Sequence, residues 1–138
     1  MNFKLKSIAF FLVLAVMVGV TSCNDDEETT TPAAPTISSP EIGEDNSMTA
    51  TVGGELHMDA EIDAPGKIDK ITVDLHLESG TGDDIEAEYT EYAGQLNADF
   101  HKDLDIPATA TPGEYHFHLT VVDQEGQSTS YEVDVEIE

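Results

Sequence analysis

Gly113-Glu114-Tyr115-His116-Phe117-His118-Leu119-Thr120-Val121 and Tyr131-Glu132-Val133-Asp134-Val135-Glu136-Ile137, joined through Asp123-Gln124-Glu125-Gly126, form the stretch that decides the fold. In both halves the apolar residues recur at every second position, which is the period of a half-buried β-strand and not of a helix. An acidic, glycine-containing turn between two such runs reads as an antiparallel hairpin.

Working outward, the same alternation holds in Leu56, Met58, Ala60 and Ile62, which are interleaved with His57, Asp59 and Glu61, and in Ile71, Val73, Leu75 and Leu77, which are interleaved with Thr72, Asp74 and His76. A weaker strand covers Leu96 to Ile106, and a further one Ile37 to Ile42. Pro107 and Pro112 punctuate the approach to the hairpin. No segment has convincing helical periodicity. Short alternating strands separated by Gly and Pro turns predict an all-β fold, an immunoglobulin-like or fibronectin-like antiparallel β-sandwich of about seven strands. Residues 35–138 supply roughly a hundred positions for it, enough for one core. Gly113-Glu114-Tyr115 resembles the tyrosine corner of such domains. The lack of Trp and the single Cys argue against an antibody-type domain.

The chain opens with Met1-Asn2-Phe3-Lys4-Leu5-Lys6, followed by an uncharged apolar run of thirteen residues from Ile8 to Val20. A bilayer-spanning helix needs roughly 20 such residues, so residues 1–22 read as a signal peptide that is removed. Val20-Thr21-Ser22-Cys23 resembles the bacterial lipobox, which implies cleavage before Cys23 and lipid on its thiol. Cys23 is the only cysteine, so no disulfide can form within the chain, and acylation caps a thiol that would otherwise be a liability outside the cytoplasm. Asn24-Asp25-Asp26-Glu27-Glu28 resembles the export tag of Bacteroidetes surface lipoproteins. The expected location is therefore the outer membrane, lipid-anchored and exposed at the cell surface. Residues 23–34, acidic and then rich in Thr and Pro, read as a linker.

Cleavage takes away Lys4 and Lys6, leaving Lys67, Lys70 and Lys102 against 29 acids and no arginine. So negative a surface repels phosphate backbones, which excludes nucleic acid as a partner and makes cations the ligands it attracts.

All five histidines, His57, His76, His101, His116 and His118, fall in the polar phase of their strands and should face solvent. The segments Gly54–Ile62, Lys67–His76, Phe100–Pro107 and Gly113–His118, which carry these histidines, together resemble a Bacteroidetes lipoprotein family known as domain of unknown function 4625. The resemblance implies a lipoprotein with this fold, and no activity. In an immunoglobulin-like sandwich the strand over Lys67–Glu78 lies beside the one beginning at Gly113, and the strand over Glu55–Asp63 lies beside the one over Asn97–Ile106. Imidazoles on paired strands, about 5 Å apart when opposed and about 7 Å at i, i+2, can reach a common ion. His76, His116 and His118 with Glu78 are the first candidate metal site, and His57 and His101 with Asp59 the second. Two imidazoles with carboxylates suit Zn2+ or Cu2+, and with Cys23 acylated and only Met48 and Met58 left after cleavage, Cu+ is a poor candidate.

Ser79–Gly94 reads as a long acidic loop bearing Asp83, Asp84, Glu86, Glu88, Tyr89, Glu91 and Tyr92, without the residue order of an EF-hand. No nucleophile elbow, His-Glu-x-x-His or phosphate loop is present, so a non-enzyme is expected. The expected function is a surface lipoprotein that binds a divalent transition metal and serves an outer-membrane receptor or transporter. The alternative is a structural or adhesive module that contacts a surface protein or a glycan.

Overall fold

The computed structural model describes residues 30–138. The expected signal peptide, Cys23 and the acidic run after it lie outside the described residues. Eight strands follow one another: β1 Thr36–Ile42, β2 Thr49–Ala50, β3 Glu55–Asp63, β4 Ile68–Leu77, β5 Ile85–Tyr89, β6 Asn97–Asp105, β7 Gly113–Asp123 and β8 Ser128–Ile137. They form two sheets, ordered β1-β3-β6 and β2-β8-β7-β4-β5, packed as a sandwich. All pairings are antiparallel except the two-residue parallel contact of β2 with β8. The strand neighbours expected from an immunoglobulin-like order, β4 with β7 and β3 with β6, are the ones observed.

Alternation explains which face each strand buries. Leu56, Met58 and Ala60 of β3, Ile71, Val73 and Leu75 of β4, and Tyr115, Phe117, Leu119 and Val121 of β7 are inaccessible or nearly so and meet in one core. Burying each Leu, Ile, Val or Phe is worth about 1.5–3 kcal/mol, which fixes strand register, because a one-residue slip would turn the whole set outward. The Tyr115 hydroxyl donates to the Thr111 carbonyl at 2.9 Å, the expected tyrosine corner.

Two strands were hidden in the sequence. β5 lies inside the segment expected to be an acidic loop, pairing Ile85 with Leu75 and Ala87 with Val73 while Glu86 and Glu88 point outward. β2 is too short to show a period.

Thr36 pairs with Asp63 at the end of the sandwich from which the chain leads back toward its N-terminus. There Gln127 Nε2 donates to the Pro32 carbonyl at 2.7 Å and the Thr129 hydroxyl to the Pro35 carbonyl at 2.6 Å, so the last residues before β1 are fixed to the start of β8. Asp123, the one buried charged residue among those described, organises the same end: its Oδ1 accepts from the backbone N–H groups of Glu125 and Gln127 at 3.0 and 2.8 Å. Gly66 is required beside it, since a Cβ there would stand 2.5 Å from Asp123 Oδ2. His57, His76 and His116 lie toward the other end, near Glu55, Leu77 and Gly113, where these strands begin or finish, and His118 stands at the middle of β7.

Candidate metal centre

Because β7 buries Tyr115, Phe117 and Leu119, it must present His116 and His118 on the outer face of the five-stranded sheet. β7 is flanked on both sides. On the β4 side His76 stands directly opposite His116 and Asp74 opposite His118. On the β8 side Asp134 stands opposite His116 and Glu132 opposite His118. The three imidazoles are packed together: ring centroids are 4.7 Å apart for His116 and His118, 5.0 Å for His76 and His118, and 5.5 Å for His76 and His116.

Carboxylates hold these rings. His116 Nδ1 lies 2.8 Å from Asp134 Oδ1, His118 Nδ1 3.2 Å from Glu132 Oε1, and His76 Nδ1 3.4 Å from Asp74 Oδ2. The hydrogen bond to Asp134 raises the His116 pKa above the usual imidazole value; desolvation opposes this, and the charges of Asp134, Glu132 and Glu78 add to it. Two three-residue groups bring ligand atoms within 4.8 Å of one another, His116–His118–Glu132 and Glu78–His116–Asp134. Of the first expected site, His116, His118 and Glu78 therefore enter converging groups, while His76 stacks on His118 without joining either. Glu132 and Asp134 were missed by sequence reasoning. The hairpin turn held the signal: residues equidistant from Glu125 pair across β7 and β8, which sets both acids opposite the histidines.

The outer face of the three-stranded sheet carries the second expected site. His57 is opposite Asp103 and Asp59 opposite His101, so the histidines meet diagonally, with centroids 4.8 Å apart in an edge-on arrangement. His57 Nδ1 lies 2.8 Å from Asp103 Oδ1, and His101 Nδ1 2.8 Å from Asp59 Oδ2. His57, Asp59 and His101 bring ligand atoms within 4.8 Å of one another, as expected. An open cleft of about 790 Å³ reaches His57 and Asp103 from the end of the sandwich, lined also by Glu41, Glu44, Asp45 and Glu55.

Tyr89 and Tyr92, the aromatics of the expected acidic loop, pack on Phe100 with centroids at 5.2 and 5.9 Å, and Lys102 lies over both rings. Their faces serve packing between β5 and β6. Lys102 also pairs with Glu91 at 2.6 Å and Lys70 with Glu88 at 2.8 Å, so the basic groups here are matched within the chain.

A histidine-bearing, acid-rich β-sandwich is thus the class that fold and site define. A family model described as Domain of unknown function (DUF4625) matches residues 21–138, and the chain belongs to that family. No curated protein matches the chain. Among solved structures, the crystal structure of Spo0M, a sporulation control protein from Bacillus subtilis, is similar over 77% of this chain at 12% sequence identity, with a TM-score of 0.49. The chain spans 50% of that protein's length.

Proposed function

We propose that the protein is a surface-exposed, non-enzymatic lipoprotein that binds Zn2+ or Cu2+ on the outer face of β4, β7 and β8, holding the ion for, or passing it to, an outer-membrane uptake system. The observation that carries the reading is the packing of His76, His116 and His118 within 5.5 Å of one another, ringed by Glu78, Glu132 and Asp134. His116 and His118 with Glu132, a converging group against which His76 stacks, match the preference of borderline divalent ions for nitrogen and carboxylate oxygen. The Asp134 carboxylate at Nδ1 orients the His116 ring and leaves its Nε2 for the metal, the usual role of an outer-shell group. Asp74 Oδ1, a buried oxygen beside this array, has no hydrogen-bond partner within the chain, and a cation bound nearby would offset the cost of leaving it unpaired.

Calorimetric titration of the metal-stripped protein with Zn2+ and Cu2+ tests the site. Micromolar or tighter binding, lost when His76, His116 and His118 are all changed to Ala, is expected; millimolar binding indifferent to that change would leave a face of solvated ion pairs. The adhesive-module reading draws on the same carboxylate partners, since histidines matched by acids also suit a merely soluble surface. Membrane attachment is tested separately. Cys23→Ser should abolish lipid labelling and release the chain from membranes, and neutralising Asp25, Asp26, Glu27 and Glu28 should remove its protease accessibility on whole cells.

A further inference from the structure

The face formed by β3 and β6 has its own chemistry, on the side of the sandwich away from the array just described. Each strand contributes one histidine and one aspartate, crosswise, and each histidine is gripped at Nδ1 by the acid directly opposite it. An ionised carboxylate can only accept a hydrogen bond, so in the neutral rings the proton sits on Nδ1 and the lone pair on Nε2. Asp103 holds His57 in this way but does not belong to the converging group His57–Asp59–His101. Asp59 belongs to it and in the metal-free protein is hydrogen-bonded to His101 Nδ1, a contact the carboxylate must give up to ligate an ion held at His101 Nε2. The ligand atoms, within 4.8 Å of one another, must then draw in to the separation of about 3–4 Å kept by ligands roughly 2.0–2.2 Å from one ion. The acidic cleft that opens onto His57 and Asp103 raises the local concentration of cations at the site.

We propose that His57, Asp59 and His101 form a second, independent site for a borderline divalent cation, with Asp103 as the positioning residue that fixes the His57 ring. The site offers two nitrogens and one oxygen and leaves coordination positions open to solvent. By the general affinity order of such ligand sets it takes Cu2+ more tightly than Zn2+. The chain then carries two ions on opposite faces, each bound without the other, and the second site stands or falls apart from the first.

Stoichiometry is the readout. The metal-stripped full chain, purified in detergent, is titrated with Cu2+ in a calorimeter, and bound Cu2+ is examined by electron paramagnetic resonance for nitrogen hyperfine structure. Wild type should take up two equivalents. His57→Ala with His101→Ala should lose one and keep the other, whereas changing His76, His116 and His118 to Ala should do the converse; His57→Gln with His101→Gln repeats the test with side chains that can still hydrogen-bond. Asp103→Asn should retain the equivalent with its nitrogen signature but weaken it about 10–100-fold, the usual effect of removing an outer-shell partner. One equivalent in wild type, lost with the three-histidine variant and untouched by the His57/His101 variants, would overturn the second site and leave the first standing. Unchanged affinity in Asp103→Asn would overturn its positioning role. One equivalent in wild type, lost in the His57/His101 variants and kept in the three-histidine variant, would support the second site and show that the first is the one that fails.

Discussion

The two outer faces of the sandwich use the same ingredients in different arrangements. On the face of β3 and β6 each strand gives one histidine and one aspartate, and the imidazoles touch diagonally. On the other face two histidines stand on β7, two of the acids on β8, and a third imidazole arrives from β4 with Asp74 beside it. The difference follows from what the neighbouring strands carry. β3 is central like β7, but its second neighbour β1 sets Glu41 opposite Asp59 and has no histidine, and the edge strand β6 finds partners on one side only, whereas β7 collects partners from both β4 and β8. A central strand flanked by a histidine on one side and acids on the other can thus assemble a three-imidazole array, with no loop involved and with geometry set by register. The charged side chains of β6 also have a structural use, since charge on an edge strand discourages pairing with another chain.

The largest expected effects come from removing what supports each face. Phe117 lies under the array between His116 and His118, and Phe100 lies beside His101; both are fully buried. Phe117→Ala and Phe100→Ala should each cost about 3–5 kcal/mol in urea or thermal unfolding by leaving a cavity. Similar losses would show that the two faces rest on equally rigid cores. A cost below about 1 kcal/mol at either position would mean that the strand there is not packed in this register.

The next effect separates three imidazoles from two. His76→Ala should weaken Zn2+ or Cu2+ binding on the β4–β7–β8 face by about tenfold, on the scale of one lost supporting contact, while leaving His57 and His101 unaffected. Because His76 is at the surface, the unfolding midpoint without metal should scarcely move. If His76→Ala binds as tightly as wild type, the third ring is only stacked on His118 and the two faces are chemically equivalent.

Much of this comparison was legible before the structure was known. Period-two alternation in β3, β4, β7 and β8, with the weaker alternation of β6, was enough to place the core and to turn every histidine outward, because a sheet with one buried face offers its residues only two sides. The pairing of β4 with β7 and β3 with β6 followed from the fold class. β5 escaped because Ile85-Glu86-Ala87-Glu88-Tyr89 has a single strongly apolar residue and sits among acids, and it becomes a strand only through the free edge that β4 provides. Which acids meet which histidines was also hidden, since residue type and phase do not give register. Glu132 and Asp134 emerge only by counting outward from the turn, and the diagonal contact of His57 with His101 only from the offset between β3 and β6. The alternation of Tyr131 and Val133 promised full burial as well. Both pack against the core yet stay partly exposed.

The smallest effect expected is electrostatic and concerns His116. Its hydrogen bond to Asp134, with the nearby charges of Glu132 and Glu78, holds its folded-state pKa above the ordinary imidazole value. A folded pKa above the unfolded one means that the native state binds the proton more tightly, so protonation favours folding. The resulting stability is fully present below the unfolded pKa, about 6.5, and is lost as pH rises through the raised folded value. In metal-free protein, wild type should therefore melt slightly above His116→Gln at pH 5.5, and the gap should close by pH 8.5. Salt should shrink it, because the pair is exposed and screened. Metal binding must run the opposite way, since coordination needs the neutral ring and the acids that stabilise the proton compete with the ion. Zn2+ affinity should rise between about pH 5 and pH 8, and Asp134→Asn, which removes the main cause of the shift, should move that rise to lower pH while weakening binding at pH 8. A melting difference that grows with pH would show that His116 is not held protonated by Asp134, and the ordering of acids and imidazoles across β7 and β8 would then need another explanation.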